Sequence, residues 1–269
     1  MLRNGDAAAL ENLKKALEPY QTVVIWNVAS VLRTTVPVPM QAFADHCLQM
    51  QPQFRYYWWR AVSVAYLIRP NERTLRWLEE QRALAFPGRF EFAANPRQQA
   101  TVAMYIRHGD KGSEMKLVHP DVYLQTAVSL FDRGMVGAAG GTTASGENTT
   151  APERVIFYGT ETPDVLEYIV DWSAKNPTYT MLRTTLVDIV YDVSHTQPWE
   201  YPSMLLNLDI SLRADAWVMT LGSNWCRIID ELRATIAGKQ DLPFADLSVK
   251  TCPHPPCIGS GITDFDWRQ

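Results

Sequence analysis

The chain has 269 residues, enough for one large domain or two small ones, and 46% of them are apolar, so a substantial core is available. A net charge of -4 speaks against the basic face of a nucleic-acid-binding protein, and no run of like charge is long enough to form a charged tail. No stretch reaches the roughly 20 apolar residues of a membrane span, and the segment before residue 21 lacks the apolar centre of a signal peptide. These features leave open a cytosolic protein or the lumenal part of one whose anchor lies elsewhere.

In chain order, residues 6–18 read as a helix with Leu10, Leu13 and Leu17 on one stripe and Pro19 as the stop. "TVVIWNVASVL" (22–32) starts strand-like, and 34–40 reads as an extended connection. Helices are predicted over 41–50 and 56–68, the second ending near Arg69 because Pro70 disfavours helical geometry before it. A further helix is predicted over 71–86, with Asn71 as N-cap and Pro87-Gly88 as terminator. "QATVAMYI" (99–106) is the first convincing buried strand. It runs straight into "RHGDKGSE" (107–114), and a helix over 119–134 follows.

Residues 134–153, rich in Gly, Ala and Thr, read as a flexible surface insertion, and Asn148-Thr149-Thr150 within it fits the N-glycosylation pattern. Strands are then predicted at 154–160, 179–184 and 216–222. They alternate with helices at 162–177, 202–215 and 223–238, the last capped by Ser223 and closed by Gly238. From residue 99 the alternation of strand and helix predicts an α/β fold, a doubly wound (Rossmann-like) parallel sheet with helices on both faces. Ligands of such sheets bind beyond the carboxyl ends of the strands, where residues 106–114, 159–163 and 220–224 fall. Neither a Gly-x-Gly-x-x-Gly nor a Walker A motif is present. Cys47, Cys226, Cys252 and Cys257 are too few for a disulfide scaffold. "CPHPPC" (252–257) offers three metal ligands without an evident fourth, so a disulfide-closed or proline-stiffened turn is expected there and no metal site.

Arg107 directly follows a buried strand, where a planar guanidinium can grip phosphate oxygens with two donors. Ser223 and Asn224 open a helix after another strand, and helix N-termini bind phosphate through free backbone N–H groups. The plain alternative is an ion-paired arginine and a capping serine.

"WWRAVSVAYLIRP" (58–70), "YIRHGDKGSE" (105–114) with "HP" (119–120), "LLNLDISLRADAWV" (205–218) and "SNWCR" (223–227) resemble the eukaryotic α1,6-fucosyltransferases of N-glycan core fucosylation. More distantly they resemble the bacterial chitooligosaccharide fucosyltransferases. The resemblance covers roughly residues 35–240, with 134–153 unmatched. It implies the C-terminal donor half of a two-domain (GT-B) glycosyltransferase, here a mostly helical segment over 1–98, a GDP-sugar-binding α/β domain over 99–250 and a tail over 251–269.

The resemblance further implies transfer of fucose from GDP-fucose to a glycan or glycoprotein acceptor, with inversion, without a metal or other cofactor, in the Golgi lumen. Glu114 matches the proposed general base, and Asp110 and Lys111 match an essential Asp-Lys pair. Arg107 matches a diphosphate contact, with Tyr105, His108 and Glu161 alongside it in the donor site. Asn207 stands where the family reads guanine with an Asp, and Asp209 lies two positions on. Ser223 and Asn224 match the phosphate-binding helix start.

The sequence departs from the family at several points. His108 replaces the second Arg of an Arg-Arg pair, one residue is missing between Lys111 and Glu114, and Glu161-Thr162 replaces an Asp-Asp. Two further readings therefore stand beside the enzyme: a non-catalytic GDP-sugar-binding or interaction protein, and a solvated loop on an unrelated doubly wound domain.

Overall fold

The computed structural model describes residues 38–49, 52–90, 99–108, 112, 117–137, 151–184, 200–248 and 257–259. The helix expected at 6–18, the strand-like 22–32, Asp110, Lys111, Glu114, the glycosylation pattern at 148–150 and Cys252 lie outside them. Within them the elements are α1 (Val38–His46), α2 (Pro52–Leu67), α3 (Glu72–Ala85), β1 (Gln99–Ile106), α4 (Pro120–Asp132), β2 (Glu153–Thr160) and α5 (Pro163–Lys175). Then follow β3 (Thr180–Leu182), α6 (Glu200–Arg213), β4 (Ala216–Met219), α7 (Asn224–Thr235), β5 (Phe244–Asp246) and β6 (Cys257–Gly259).

The strands form one sheet in the order β3-β2-β1-β4-β5-β6. The first five are parallel neighbours, as the strand–helix alternation predicts, and β6 joins β5 antiparallel. The chain builds outward from β1 to β3, crosses back, and continues from β4 on the other side of β1. Strand order therefore reverses between β1 and β4, the switch point where doubly wound sheets take their ligands.

β1 occupies the middle and is buried on both faces, so its sequence is an almost unbroken apolar run. Its alternate side chains separate the two faces. Ala100, Val102, Met104 and Ile106 pack with Ile156, Tyr158, Ala216 and Val218 beneath α4 and α5, which supply Tyr123, Leu124, Leu130, Val165 and Ile169. On the opposite face Val155 and Phe157 meet Leu206 and Ile210 of α6, together with Leu78, Phe86 and Phe90 from α3 and the turn after it. The three Phe rings stack edge to face at 5.3–6.2 Å.

Local chemistry explains where several helices begin and end. Asn71 caps α3 by accepting from the Thr74 amide at 2.9 Å, as the sequence predicts. Pro120 and Pro163 sit in the first turns of α4 and α5, where a missing N–H costs nothing. Gly134 and Gly238 adopt positive φ after α4 and α7, the left-handed conformation that stops a helix. α1 begins at Val38, three residues before the expected start, because Pro39 falls in its first turn and a proline there is compatible with a helix. Among the described residues no helix is long and apolar enough to cross a membrane.

Charge is concentrated on the face that carries α3, α6 and α7. α2 packs against α7 through Tyr57, whose hydroxyl donates to the Asp230 carbonyl at 3.2 Å, and through Arg60, whose Nε donates to Glu231 Oε1 at 2.7 Å. One turn along, Asp230 pairs with Arg233 at 2.8 Å. The Arg233 guanidinium lies 4.9 Å from the centroids of both the Trp217 and Phe244 rings and also donates to the Lys239 carbonyl. Asp209 is shared between Arg82 and Arg213, tying α3 to α6.

Candidate functional site at the sheet switch point

Three strand ends lie side by side, those of β2, β1 and β4, because β1 is hydrogen-bonded to both of the others. The groups they deliver are Glu161 after β2, Tyr105 to His108 at the end of β1, and the Thr220–Asn224 turn after β4. Arg107 and Ser223 thus leave neighbouring strands, as the expectation of a shared site requires.

Glu161 is the hub. Its carboxylate receives Arg107 Nη1 and the His108 amide on Oε1, the latter at 3.0 Å, and the Tyr105 hydroxyl on Oε2 at 3.4 Å. The Arg107 and Glu161 side chains are 7% and 4% exposed, so this is a buried pair with charge-assisted hydrogen bonds. The ion-paired alternative for Arg107 is the arrangement observed. The pair is neutral as a whole, so Glu161 both fixes the Arg107 guanidinium in place and offsets its charge.

Gly159 explains how Tyr105 reaches Glu161. A Cβ at Gly159 would sit 2.9 Å from Tyr105 Cδ2, so the ring lies flat across the glycine on the neighbouring strand. On its other side Tyr105 faces Trp225 of α7, ring centroids 6.3 Å apart. His108 turns away, its Nε2 sharing a hydrogen bond with the Val118 carbonyl at 2.8 Å. Thr162 begins α5 without a side-chain cap, and its hydroxyl is buried with no hydrogen-bond partner.

On the β4 side, Ser223 has N-cap backbone geometry but its side chain makes no capping hydrogen bond, a departure from the expected Ser cap. The residue is buried, and its hydroxyl turns to the Cys226 thiol, whose pKa burial pushes up to about 11. Asn224 is exposed and accepts from the Arg227 guanidinium. The helix's own hydrogen bonding starts with the Arg227 amide on the Ser223 carbonyl at 3.1 Å. By helix geometry the amides of Asn224, Trp225 and Cys226 have no intrahelical acceptor, which is the arrangement that suits an anion.

Asn207 lies on α6 and accepts from Thr184, two residues past β3, at 2.6 Å. Asp209, two positions on, is engaged by Arg82 and Arg213 on a different side of the helix, so it does not replace Asn207. Asp110, Lys111 and Glu114 lie outside the described residues. Among those described, no group of three or more His, Cys, Asp and Glu side chains is placed to hold a metal.

Sequence reading missed two residues that build the site from beneath, Asp246 and Ser248, which accept hydrogen bonds from the Leu221 and Gly222 amides at 3.0 and 2.9 Å. The available signal is "FADLS" (244–248), an acid set inside an apolar run where the next strand end belongs.

No protein-family model matches the sequence, and no curated protein does. Among solved structures the chain is similar to the NodZ α-1,6-fucosyltransferase soaked with GDP-fucose, at 12% identity and a TM-score of 0.34 over 68% of this chain and 47% of that one. It is also similar to the apo form of POFUT1, at 12% identity and a TM-score of 0.37 over 70% of this chain and 49% of that one. The chain therefore spans about half the length of the solved structures it resembles.

Proposed function

We propose that the chain is a divergent GDP-fucose-dependent fucosyltransferase, or the donor-binding part of one, that transfers fucose to a glycan such as the core GlcNAc of an N-glycan. One observation carries the reading: the motifs that resemble the α1,6-fucosyltransferases come from two distant stretches, and the ends of β1 and β4 bring Arg107 and Ser223 to one switch point.

In this reading the diphosphate of GDP lies across the start of α7, beside the Arg107–Glu161 pair, and Asn207 hydrogen-bonds the guanine. The bond from fucose C1 to the diphosphate oxygen breaks as the acceptor oxygen attacks C1 from the opposite face. The leaving GDP carries the extra negative charge, which the helix start and Arg107 stabilise. The acceptor's proton passes to the Glu114 carboxylate, which Lys111 of the Asp110-Lys111 pair tunes or orients. The family resemblance assigns the step no metal and places it in the Golgi lumen.

The test is transfer from GDP-fucose to an N-glycan core in the presence of a chelator. Glu114→Gln is expected to lower turnover by about 10²–10⁴ with donor affinity retained. A wild-type chain that neither binds GDP nor turns over removes the reading.

A non-catalytic GDP-sugar-binding role is the second reading. It is favoured by the engagement of Arg107 with Glu161 and by Thr162, His108 and Asn207 standing where the family has an acid, an Arg and an Asp. Binding of GDP-fucose without transfer to any core glycan selects it.

A further inference from the structure

The turn from β4 into α7, Thr220–Leu221–Gly222–Ser223, is fixed from outside itself. The Leu221 and Ser248 amides both donate to Asp246 Oδ1, at 3.0 and 2.8 Å, and the Gly222 amide donates to Ser248 Oγ at 2.9 Å. The Leu247 amide, between the two acceptors, donates to the Met219 carbonyl at 2.8 Å, and the Ser223 amide donates to the Thr220 carbonyl at 3.0 Å. From α4 the Tyr123 hydroxyl meets Thr220 Oγ1 at 3.4 Å. Asp246, Ser248 and Thr220 are 7%, 5% and 0% exposed, so the cradle is built into the protein rather than laid on its surface.

Burying a carboxylate is costly unless hydrogen bonds compensate it. Here one of them comes from the Leu221 amide of the turn and another from the Ser248 amide beside Asp246, so the compensation of the carboxylate ties the turn to the end of β5. Three consecutive amides, 221 to 223, are thereby committed inside the protein, and the next in the chain, 224 to 226, are those left without an intrahelical acceptor by the helix start.

We infer that Asp246 and Ser248 are positioning residues that fix the β4–α7 turn so that the amides opening α7 meet a diphosphate at the switch point. The inference rests on the donor reading given above, and it adds a division of labour among amides. Those of the turn bind the protein, and those of the helix start bind the ligand. Neither Asp246 nor Ser248 touches substrate.

The experiment uses the full chain with Ser248→Ala, Asp246→Asn and Asp246→Ala. It measures hydrogen–deuterium exchange without ligand and affinity for GDP and for inorganic pyrophosphate by calorimetry. Ser248→Ala is expected to speed exchange over residues 221–226 by about tenfold while β1 and β2 keep wild-type rates. It should also raise the Kd for GDP and for pyrophosphate alike by about three- to tenfold, the worth of one hydrogen bond. Asp246→Asn keeps an acceptor at Oδ1 and should stay nearer to wild type than Asp246→Ala. If the alanine variant does not fold, Ser248→Ala decides. Exchange that rises uniformly across the sheet, or unchanged GDP affinity in Ser248→Ala, overturns the positioning role. A wild-type chain that binds neither GDP nor pyrophosphate overturns the donor reading instead, and the exchange rates, which need no ligand, then decide the anchoring by themselves.

Discussion

The two faces of the sheet are built on opposite principles. Beneath α4 and α5 the contacts are apolar, from Ala100 through Leu130 to Trp172. Over the other face charges pair, fully buried in Arg60–Glu231 between α2 and α7 and in Asp230–Arg233 within α7, and half-buried in Arg82–Asp209–Arg213 between α3 and α6. Apolar packing is tolerant of direction. A buried ion pair is not, because each charge must find its partner or remain stranded in a low-dielectric interior. The face that carries the start of α7 is thus the face whose helices are held in one arrangement by paired charge, while the α4/α5 face supplies most of the uniform hydrophobic core.

Removing one partner from each side should expose the difference. Arg60→Ala strands the Glu231 carboxylate and is expected to destabilise the protein by about 3–5 kcal/mol above neutral pH, with a smaller loss in acid, where Glu231 holds a proton. Leu130→Ala on the apolar face should cost about 2–5 kcal/mol from lost burial and a cavity, and the loss should not change with pH. Denaturant titrations at pH 5 and pH 8 compare the two. Equal pH dependence in both variants would break the distinction.

The wild-type protein carries a gentler version of the same signature. Burial raises the Glu231 pKa from 4.5 to about 7, against the pull of Arg60. The folded state therefore binds a proton that the unfolded state releases between those values, so stability falls as pH rises from 4.5 towards 7 and levels off above it. From pH 5 to pH 8 this contribution amounts to about 2–3 kcal/mol, and burial shifts Asp230 in the same direction. Glu231→Gln should flatten the slope, measured as unfolding free energy across that range.

The smallest effect sharpens the picture at the site. Glu161→Gln keeps the shape of the hub but removes the charge that neutralises Arg107. GDP affinity is then expected to rise by about three- to tenfold at low salt and to return towards wild type as salt screens the gain. Weaker GDP binding in this variant would mean that Glu161 orients Arg107 more than it opposes the ligand's charge.

The apolar face was the more legible one. Its strands are continuous apolar runs and its helices show a regular stripe, so β1, β2, α4 and α5 follow from periodicity within a few residues. On the ionic face the helices α3, α6 and α7 follow from the sequence within a few residues as well, but the burial of their charges does not. "NWCRIIDELRAT" reads as a helix with one wet side, yet Asp230, Glu231 and Arg233 are all buried, because α2 and the Trp217 and Phe244 rings cover the side that composition assigns to water. β5 and β6, three residues each, are too short for any period to show, and with β5 went Asp246. At the site, position at a strand end and at a helix start singled out Arg107 and Ser223, the motif resemblance agreed, and topology set them beyond the ends of adjacent strands. That Arg107 is held by Glu161, and that Ser223 leaves its helix uncapped, depends on side-chain packing no local pattern records.

One residue joins the margin of the sheet to its centre. Asp246 stands opposite Cys257 where β6 closes the flank of β5, and its carboxylate grips the turn two strands' width from that border. Fraying of the outermost strand and loosening of the turn therefore share a common brace. Linkage is reciprocal, so a molecule that steadies the turn also slows the fraying, and the rate of amide exchange in β6 becomes a gauge of occupancy at a place that strand never touches.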